Sequence, residues 1–428
     1  MAIHTDIALR SQIIYSVYLR NHTEDGTFRA LIPDLDRIQA LGTDIIWLMP
    51  IHPIGVKGKK GSLGCPYANR DYRTVNPAYG TMEDFAALVD AIHAKGMKCI
   101  IDVVYNHTSP DSTLTVEHPE FFYRKPDGNM GNRVGEWTDV VDLDYNIPAL
   151  WDYQIESLQM WAKIVDGFRC DVASLIPLEF WQRARKAVAQ VNPSCIWLAE
   201  SVHTGFALTM RLEGLQAWND YELFSAFDME YDYDIREVLD RYLEGTAHLS
   251  NYTDMLNFQE GCYPINYDKM RCLENHDQKR ICHFLRSSLE QDNFTAMLYF
   301  LKGTTLLYAG QEYSCTHTPS LFEKEVFPRS GRDISLLLQK LAQVKKEILS
   351  PADAFQAQAE DEHHIAILTR TNKTAKKLGI FSLKGLAATV AVPFPDGIYE
   401  NKLTGEPVSV EHGLLHCSGA PMVLTTGN

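Results

Sequence analysis

The sequence predicts an α/β fold: a (β/α)8 barrel of TIM type with a short loop insertion after strand 3 and a C-terminal all-β domain. Three observations predict it. Eight short runs rich in β-branched and aromatic residues alternate with amphipathic stretches over about 350 residues, the pattern of parallel strands separated by helices. One polar stretch, 107–146, is far longer than the other connections. After Pro351 the period shortens to alternating runs between Gly and Pro turns, the signature of a small β domain. Alternation alone also fits a doubly wound open sheet.

Taken in order, the strand-like runs are 13–19 (IIYSVYL), 44–51 (DIIWLMPI), 98–104, 165–172, 195–202, 223–229, 270–273 and 304–309. Helical stretches fall at 81–95, 149–164, 178–191 and 334–348. The first opens with Thr81 and Asp84 in a capping-box spacing and carries Phe85, Leu88, Val89 and Ile92 on one stripe. In the C-terminal part the runs are 364–369, 378–381, 388–393 and 422–424. The expected organisation is a first part of the barrel (1–106), the inserted loop (107–146), a second part of the barrel (147–350) and a C-terminal β-sandwich (351–428).

Composition limits the function classes. Of the 428 residues, 45% are hydrophobic and 22% charged, with Gly and Pro near average, which excludes wholesale disorder. The net charge of −15 repels phosphate backbones and anionic lipid, so neither a nucleic acid nor a membrane is an expected partner. No apolar run approaches the ~20 residues of a membrane span. The start, MAIHTDIALRSQ, lacks the basic and apolar regions of a secretory signal. The nine Cys are odd in number and contain no Cys-x-x-Cys pair. These features make the cytoplasm the expected location. Oligomeric state is left open.

The chemistry concentrates at the C-terminal ends of the strands, where a barrel holds its active site. Strand three runs into Asp102, Asn106 and His107. Strand four carries Arg169 and Asp171, strand five ends at Glu200, and strand seven leads to His276 and Asp277. Taken singly, Asp171 reads as a helix cap, Glu200 as a satisfied polar group and each His as structural. Together they do not, because acids at the ends of four strands inside apolar runs are costly unless they have partners or a task. Paired carboxyls are what glycoside hydrolysis needs: one protonates the leaving oxygen, and the other attacks the anomeric carbon or activates water. Arg169 lies two residues before Asp171, hence on the same strand face, and is expected to keep Asp171 ionised as the nucleophile. Glu200 follows Trp197, Leu198 and Ala199, whose apolar bulk is expected to raise its pKa and make it the proton donor.

The segments DVVYNH (102–107), DGFRCDVAS (166–174), WLAES (197–201) and ENHD (274–277) resemble, in order and spacing, the four signature segments of glycoside hydrolase family 13, the α-amylase family. Supporting stretches are PYANRDYRTVNPAYGTMEDF (66–85), VDLDYN (141–146) and GTTLLYAGQE (303–312). The resemblance implies a retaining mechanism with Asp171 as nucleophile, Glu200 as general acid/base and Asp277 as the third carboxylate gripping sugar hydroxyls. It further implies that Arg169 partners the nucleophile, that His107 and His276 bind hydroxyls of the cleaved sugar, that Tyr67 stacks on it, and that Asp102 supports the pocket. Many relatives place Lys-His after the nucleophile for outer sugar binding and for calcium. Here Val172-Ala173-Ser174-Leu175 follows instead, closer to the oligosaccharide- and cyclodextrin-acting branches. Asn106 matches one calcium-ligand position, but no full set of ~6–8 oxygens can be assembled. No cofactor is required on this reading, and calcium stays an open alternative.

The expected activity is hydrolysis of maltooligosaccharides or other starch-derived α-glucans through a covalent glycosyl-Asp intermediate. The alternative is transglycosylation of the 4-α-glucanotransferase kind, by the same intermediate. A non-catalytic α-glucan-binding relative is the third reading, disfavoured because all three carboxylates are present. The Lys- and Gly-rich string from Gly55 to Gly61 does not match a phosphate-binding loop, since Lys60 stands where the second Gly must be. It reads as a loop at the barrel mouth.

Overall fold

In the computed structural model, which describes residues 4–427, eight parallel strands close into a barrel. They are β1 (Ile13–Val17), β2 (Ile45–Leu48), β3 (Lys98–Val103), β4 (Gly167–Cys170), β5 (Ile196–Ala199), β6 (Met229–Tyr231), β7 (Lys269–Met270) and β8 (Thr305–Tyr308). Each strand pairs with its chain neighbours in register, and β8 pairs with β1. The seam closes where the Arg271 N–H donates to Thr304 O and the Leu306 N–H to Arg271 O. Strands covered on both faces read as continuous apolar runs, which is why IIYSV and IIWL carry no polar alternation. Gly167 opens β4 because a Cβ there would stand 2.4 Å from Ile196 O on β5, so only glycine admits the neighbouring strand.

The outer helices are α1 (Met82–Ala94), α2 (Pro148–Trp161), α3 (Leu178–Val188), α4 (Thr204–Leu212), α5 (Tyr233–Leu243), α6 (Leu249–Cys262), α7 (Ser288–Phe300) and α8 (Ser335–Glu347). The Thr81–Asp84 capping box forms in both directions and starts α1, whose buried stripe is Phe85, Leu88, Val89 and Ile92. The sixth strand differs from the sequence expectation. Residues 223–229 were expected to be extended, but the strand begins only at Met229. Asn219 and Glu222 form a capping box that sets a short helix at Asp220–Leu223 and buries Leu223 and Phe227 by helix and turn instead.

Beyond α8 the chain forms two four-stranded antiparallel sheets. Strands β9 (Ala354–Glu360), β10 (Ile365–Thr371), β11 (Lys376–Ser382) and β16 (Met422–Thr425) make one. Strands β12 (Ala388–Ala391), β13 (Gly397–Glu400), β14 (Pro407–Glu411) and β15 (Leu414–Cys417) make the other. Ile367, Ile380, Val390, Leu415 and Leu424 share the core between them. The first sheet docks on the barrel through Phe381 against Phe300 of α7, with ring centroids 5.7 Å apart, and through Asn257 of α6, which exchanges hydrogen bonds with both backbone groups of Ala357. Among the described residues no helix is long and apolar enough to cross a membrane.

Candidate active site

The expected site residues meet at the C-terminal mouth of the barrel. Register brings the first pair together: Asp102 on β3 stands opposite Arg169 on β4. Arg169 is fully buried, and one guanidinium nitrogen, Nη1, lies 2.9 Å from Asp102 Oδ1 and 2.8 Å from Asp171 Oδ1. The second, Nη2, stands 2.7 Å from Glu200 Oε1, a close ion-pair contact. Its Nε donates to the Tyr231 hydroxyl at 3.1 Å. The guanidinium is further enclosed by the rings of Trp47, Tyr67 and Tyr231, each with its centre within 5.6 Å. A planar, always charged fork is the side chain suited to hold several carboxyls at fixed angles.

Three carboxyls around one guanidinium leave an excess of negative charge in a dry setting. Burial is the largest effect on each and the Arg169 charge opposes it. Asp102 and Asp171 are pushed up to about 7, and Glu200 to about 8. From the sequence, Arg169 is expected to keep Asp171 ionised. That expectation is corrected here, because the same cation is shared with Asp102 and Glu200 and does not outweigh burial of Asp171. The expected rise at Glu200 is present, and the charges of Asp171 and Asp277 add to it.

The backbone contributes as well. The Val172 N–H donates to Glu200 Oε2 at 2.7 Å. It is aimed by a left-handed turn, φ 35° and ψ 46°, immediately after Asp171. A β-branched residue enters that region at a cost of ~1–3 kcal/mol, and such strain gathers at functional sites.

Of the remaining expected residues, Tyr67 donates its hydroxyl to Asp102 Oδ2 at 3.0 Å and lies 2.7 Å from His276 Nε2. Its ring stacks on the His276 ring, centroids 5.3 Å apart and planes 11° apart. His276 Nε2 is also 3.1 Å from Asp277 Oδ2. Burial holds His276 down at about 4, so the ring is neutral and presents Nε2–H to both oxygens. His107 is likewise pushed down by burial, and its ring leans on Trp137 at 5.3 Å. Asp277, with 42% of its side chain exposed, is the open member of the set. Tyr67, His107, Asp171, Glu200, His276 and Asp277 all line one cavity of about 270 Å³. Asp102 and Arg169 sit beneath it.

Several residues in and around this cavity are not evident from the sequence. Tyr231, buried beside Arg169, and the Val172 N–H at the cavity carry no local signal, because a tyrosine in a strand reads as core and a backbone donor has no residue type. Lys60, Trp137, Asp139 and Phe322 also line the cavity but arrive on loops. Only Lys60 had a signal, in its Gly-flanked basic string.

The calcium alternative at Asn106 can be tested on the groups beside it. Asn106 borders a separate cavity of about 220 Å³ with Asp142 and Arg133. Arg133 donates its backbone N–H to Asp142 Oδ2 at 2.7 Å, and its Nη1 lies 3.5 Å from that oxygen and 3.4 Å from Leu143 O. The guanidinium rests on the Tyr123 ring at 4.1 Å. The Asn106 side-chain nitrogen lies 3.2 Å from His107 Nδ1, and the Asn106 backbone carbonyl accepts from Leu143 N–H. Asp142 Oδ2 and Leu143 O therefore face a fixed organic cation. Asp142 Oδ1, by contrast, is buried and accepts no hydrogen bond.

The family description "Alpha amylase, catalytic domain" matches residues 14–125 and 135–362, and "Bacterial Alpha amylase C-terminal domain" matches residues 356–424. A crystal structure of an alpha-amylase from Lactobacillus plantarum is 44% identical with a TM-score of 0.95, covering 98% of this chain and 100% of that one. The maltogenic alpha-amylase AmyB from Thermotoga neapolitana is 32% identical with a TM-score of 0.87, covering 98% and 99%. An alpha-1,4-glucan:maltose-1-phosphate maltosyltransferase of Myxococcus xanthus is 34% identical over 213 residues, 44% of this chain and 32% of that protein. The chain thus spans about a third of that curated relative's length. With the barrel, the carboxyl cluster and matches that run across nearly the whole chain in agreement, this protein belongs to the α-amylase family of glycoside hydrolases.

Proposed function

We propose that the protein hydrolyses linear maltooligosaccharides with retention of anomeric configuration. The observation that carries this reading is the shared grip of Arg169 on Asp171 and Glu200, at 2.8 and 2.7 Å, at the floor of a sugar-sized cavity. Two carboxyls held by one fork stay within a few ångströms of each other, as double displacement at a single anomeric carbon requires. In the first step the Asp171 carboxylate bonds to C1, the C1–O bond to the leaving sugar breaks, and Glu200 gives its proton to that oxygen. In the second, Glu200 takes a proton from water as the water oxygen displaces Asp171 from C1. Neutral His107 and His276, with Asp277, are suited to grip the hydroxyls of the reacting sugar, and Asp102 holds Arg169 and Tyr67 in place.

The maltose-1-phosphate relatives raise a transferase with a phosphorylated donor as the second reading. The cavity disfavours that donor: Asp139, Asp171, Glu200 and Asp277 face it, and its one cation, Lys60, is engaged by Asp139. Transfer between neutral sugars uses the same intermediate and is read from products longer than the substrate at high maltotriose. Proton NMR of the first-formed product tests the mechanism: the α anomer is expected, and the β anomer excludes double displacement. We further propose that Arg133 serves where relatives use calcium. Chelation with EDTA is then expected to leave both activity and Tm unchanged, and a calcium-dependent rise in Tm contradicts it. The nine free thiols support a reducing compartment such as the cytoplasm.

A further inference from the structure

The reaction above makes no use of the basic string after Gly55, yet the structure gives it a definite place. Gly58 and Gly61 turn the chain on either side of Lys60 with φ of 72° and 64°. A side chain at Gly61 would meet Phe322 Cβ at 2.5 Å, so the glycine is also needed for contact with the loop after β8. Between these turns Lys60 reaches the inserted loop after β3. Its Nζ lies 3.1 Å from Asp139 Oδ1 and donates to Glu136 O at 3.2 Å. On the other side, Ser62 N–H donates to Glu323 Oε1 at 2.7 Å and Leu63 N–H to Phe322 O at 3.0 Å.

Loops from β8, β2 and β3 are thereby knitted into one wall. With β1 these strands are consecutive around the barrel, so the wall occupies an unbroken side of the rim. Trp137 braces it, packing on His107 and stacking against Phe206 of α4 at 6.3 Å. The wall stands over the nucleophile, for Lys60, Trp137 and Phe322 line the same cavity as Asp171 and Glu200. The wall bounds that cavity, of about 270 Å³, along the β8–β3 side of the rim.

We infer that the Lys60–Asp139 pair bars one end of the site, so that it accepts the terminus of a linear α-glucan rather than the interior of a chain or a ring. This rests on the α-glucan reading and adds a specificity determinant to it. Lys60 belongs to binding geometry and takes no part in proton transfer.

The test compares kcat/KM for maltoheptaose with that for β-cyclodextrin, which holds the same number of glucose units but has no end. The wild-type protein is expected to favour the linear substrate by ~100-fold or more, and Lys60→Ala to narrow that ratio by at least ~10-fold, chiefly through KM for the ring. Lys60→Met, which keeps the apolar stem without the charge, is measured beside it, and circular dichroism and Tm establish that each variant is folded. Equal wild-type rates on ring and chain overturn the inference while leaving the α-glucan reading intact. A folded Lys60→Ala and a folded Lys60→Met that both keep the wild-type ratio overturn the role of Lys60. Inactivity on both substrates overturns the α-glucan reading itself, and this inference with it.

Discussion

Arg169 at the barrel mouth and Lys269 behind the barrel wall each face three carboxyl groups. Arg169 holds Asp102, Asp171 and Glu200. Lys269 holds Asp220, Glu230 at 3.5 Å and Asp234 at 3.4 Å, and donates to Tyr231 O. The two sets share β6: the Tyr231 hydroxyl meets Arg169 inside the barrel, so Glu230, one residue away, faces the opposite side, toward the helices. Charge counting makes the two clusters alike, and access separates them. Lys269 is fully buried, lies within 5.4 Å of the Phe224 and Tyr263 ring centres, and lines none of the cavity at the mouth. Asp234 there is further satisfied by Gln259 and Tyr263. Around Arg169, by contrast, Asp171 and Glu200 line an open cavity. Burial of an acidic cluster therefore marks expense, and only a cavity above it marks a site.

Four outcomes sharpen that contrast, from the largest effect down. Asp171→Asn removes the group that bonds to C1 and is expected to lower kcat by at least ~10⁴ without loss of stability. A fall of less than tenfold would move the nucleophile elsewhere. Glu200→Gln is expected to cost ~10²–10⁴ in kcat on natural oligosaccharides. The wild-type rate should fall below about pH 7 as Asp171 takes up a proton, and above about pH 8 as Glu200 loses one. The variant should lose the alkaline limb alone.

Lys269→Met strands buried carboxyls without their cation and is expected to cost ~3–5 kcal/mol of stability, read by denaturant melts, while the folded protein keeps its kcat. Loss of kcat with stability intact would place that cluster in the reaction. The smallest effect is a gain. Carboxyls whose folded pKa is raised bind protons more tightly than in the unfolded chain, so they oppose folding increasingly as pH rises from about 4 toward 8. Glu200→Gln is therefore expected to be more stable than wild type at pH 8, by ~0.5–2 kcal/mol, with the difference shrinking toward zero below about pH 4. Equal melting at both pH values contradicts the charge excess around Arg169.

Much of this is legible in the sequence. Parallel strands bury both faces, so their apolar runs stand out, and the turn chemistry of Thr81–Asp84 is local. Asp102, Arg169, Asp171, Glu200 and His276 were readable because barrel strands deliver their C-terminal residues to one mouth. The sixth strand begins later than its apolar run suggests, because apolar residues at 223–227 are buried by a capped helical turn, and a short buried run does not declare its period. The balance of charge was not legible either: spacing placed Arg169 beside Asp171, but only the β3–β4 and β4–β5 registers show it shared with Asp102 and Glu200. Loops carry no periodicity, so the meeting of Lys60, Trp137 and Phe322 depends on contacts between segments up to about 260 residues apart, such as Ser62 with Glu323.

The central claim is that the Asp171 carboxylate becomes bonded to the sugar. Mass spectrometry of the Glu200→Gln variant, quenched after mixing with α-maltosyl fluoride, tests it most directly, since fluoride leaves without a proton from residue 200. A maltosyl adduct is expected on the peptide that contains Asp171. An adduct on another residue, or rapid release of β-maltose with no adduct, would contradict it.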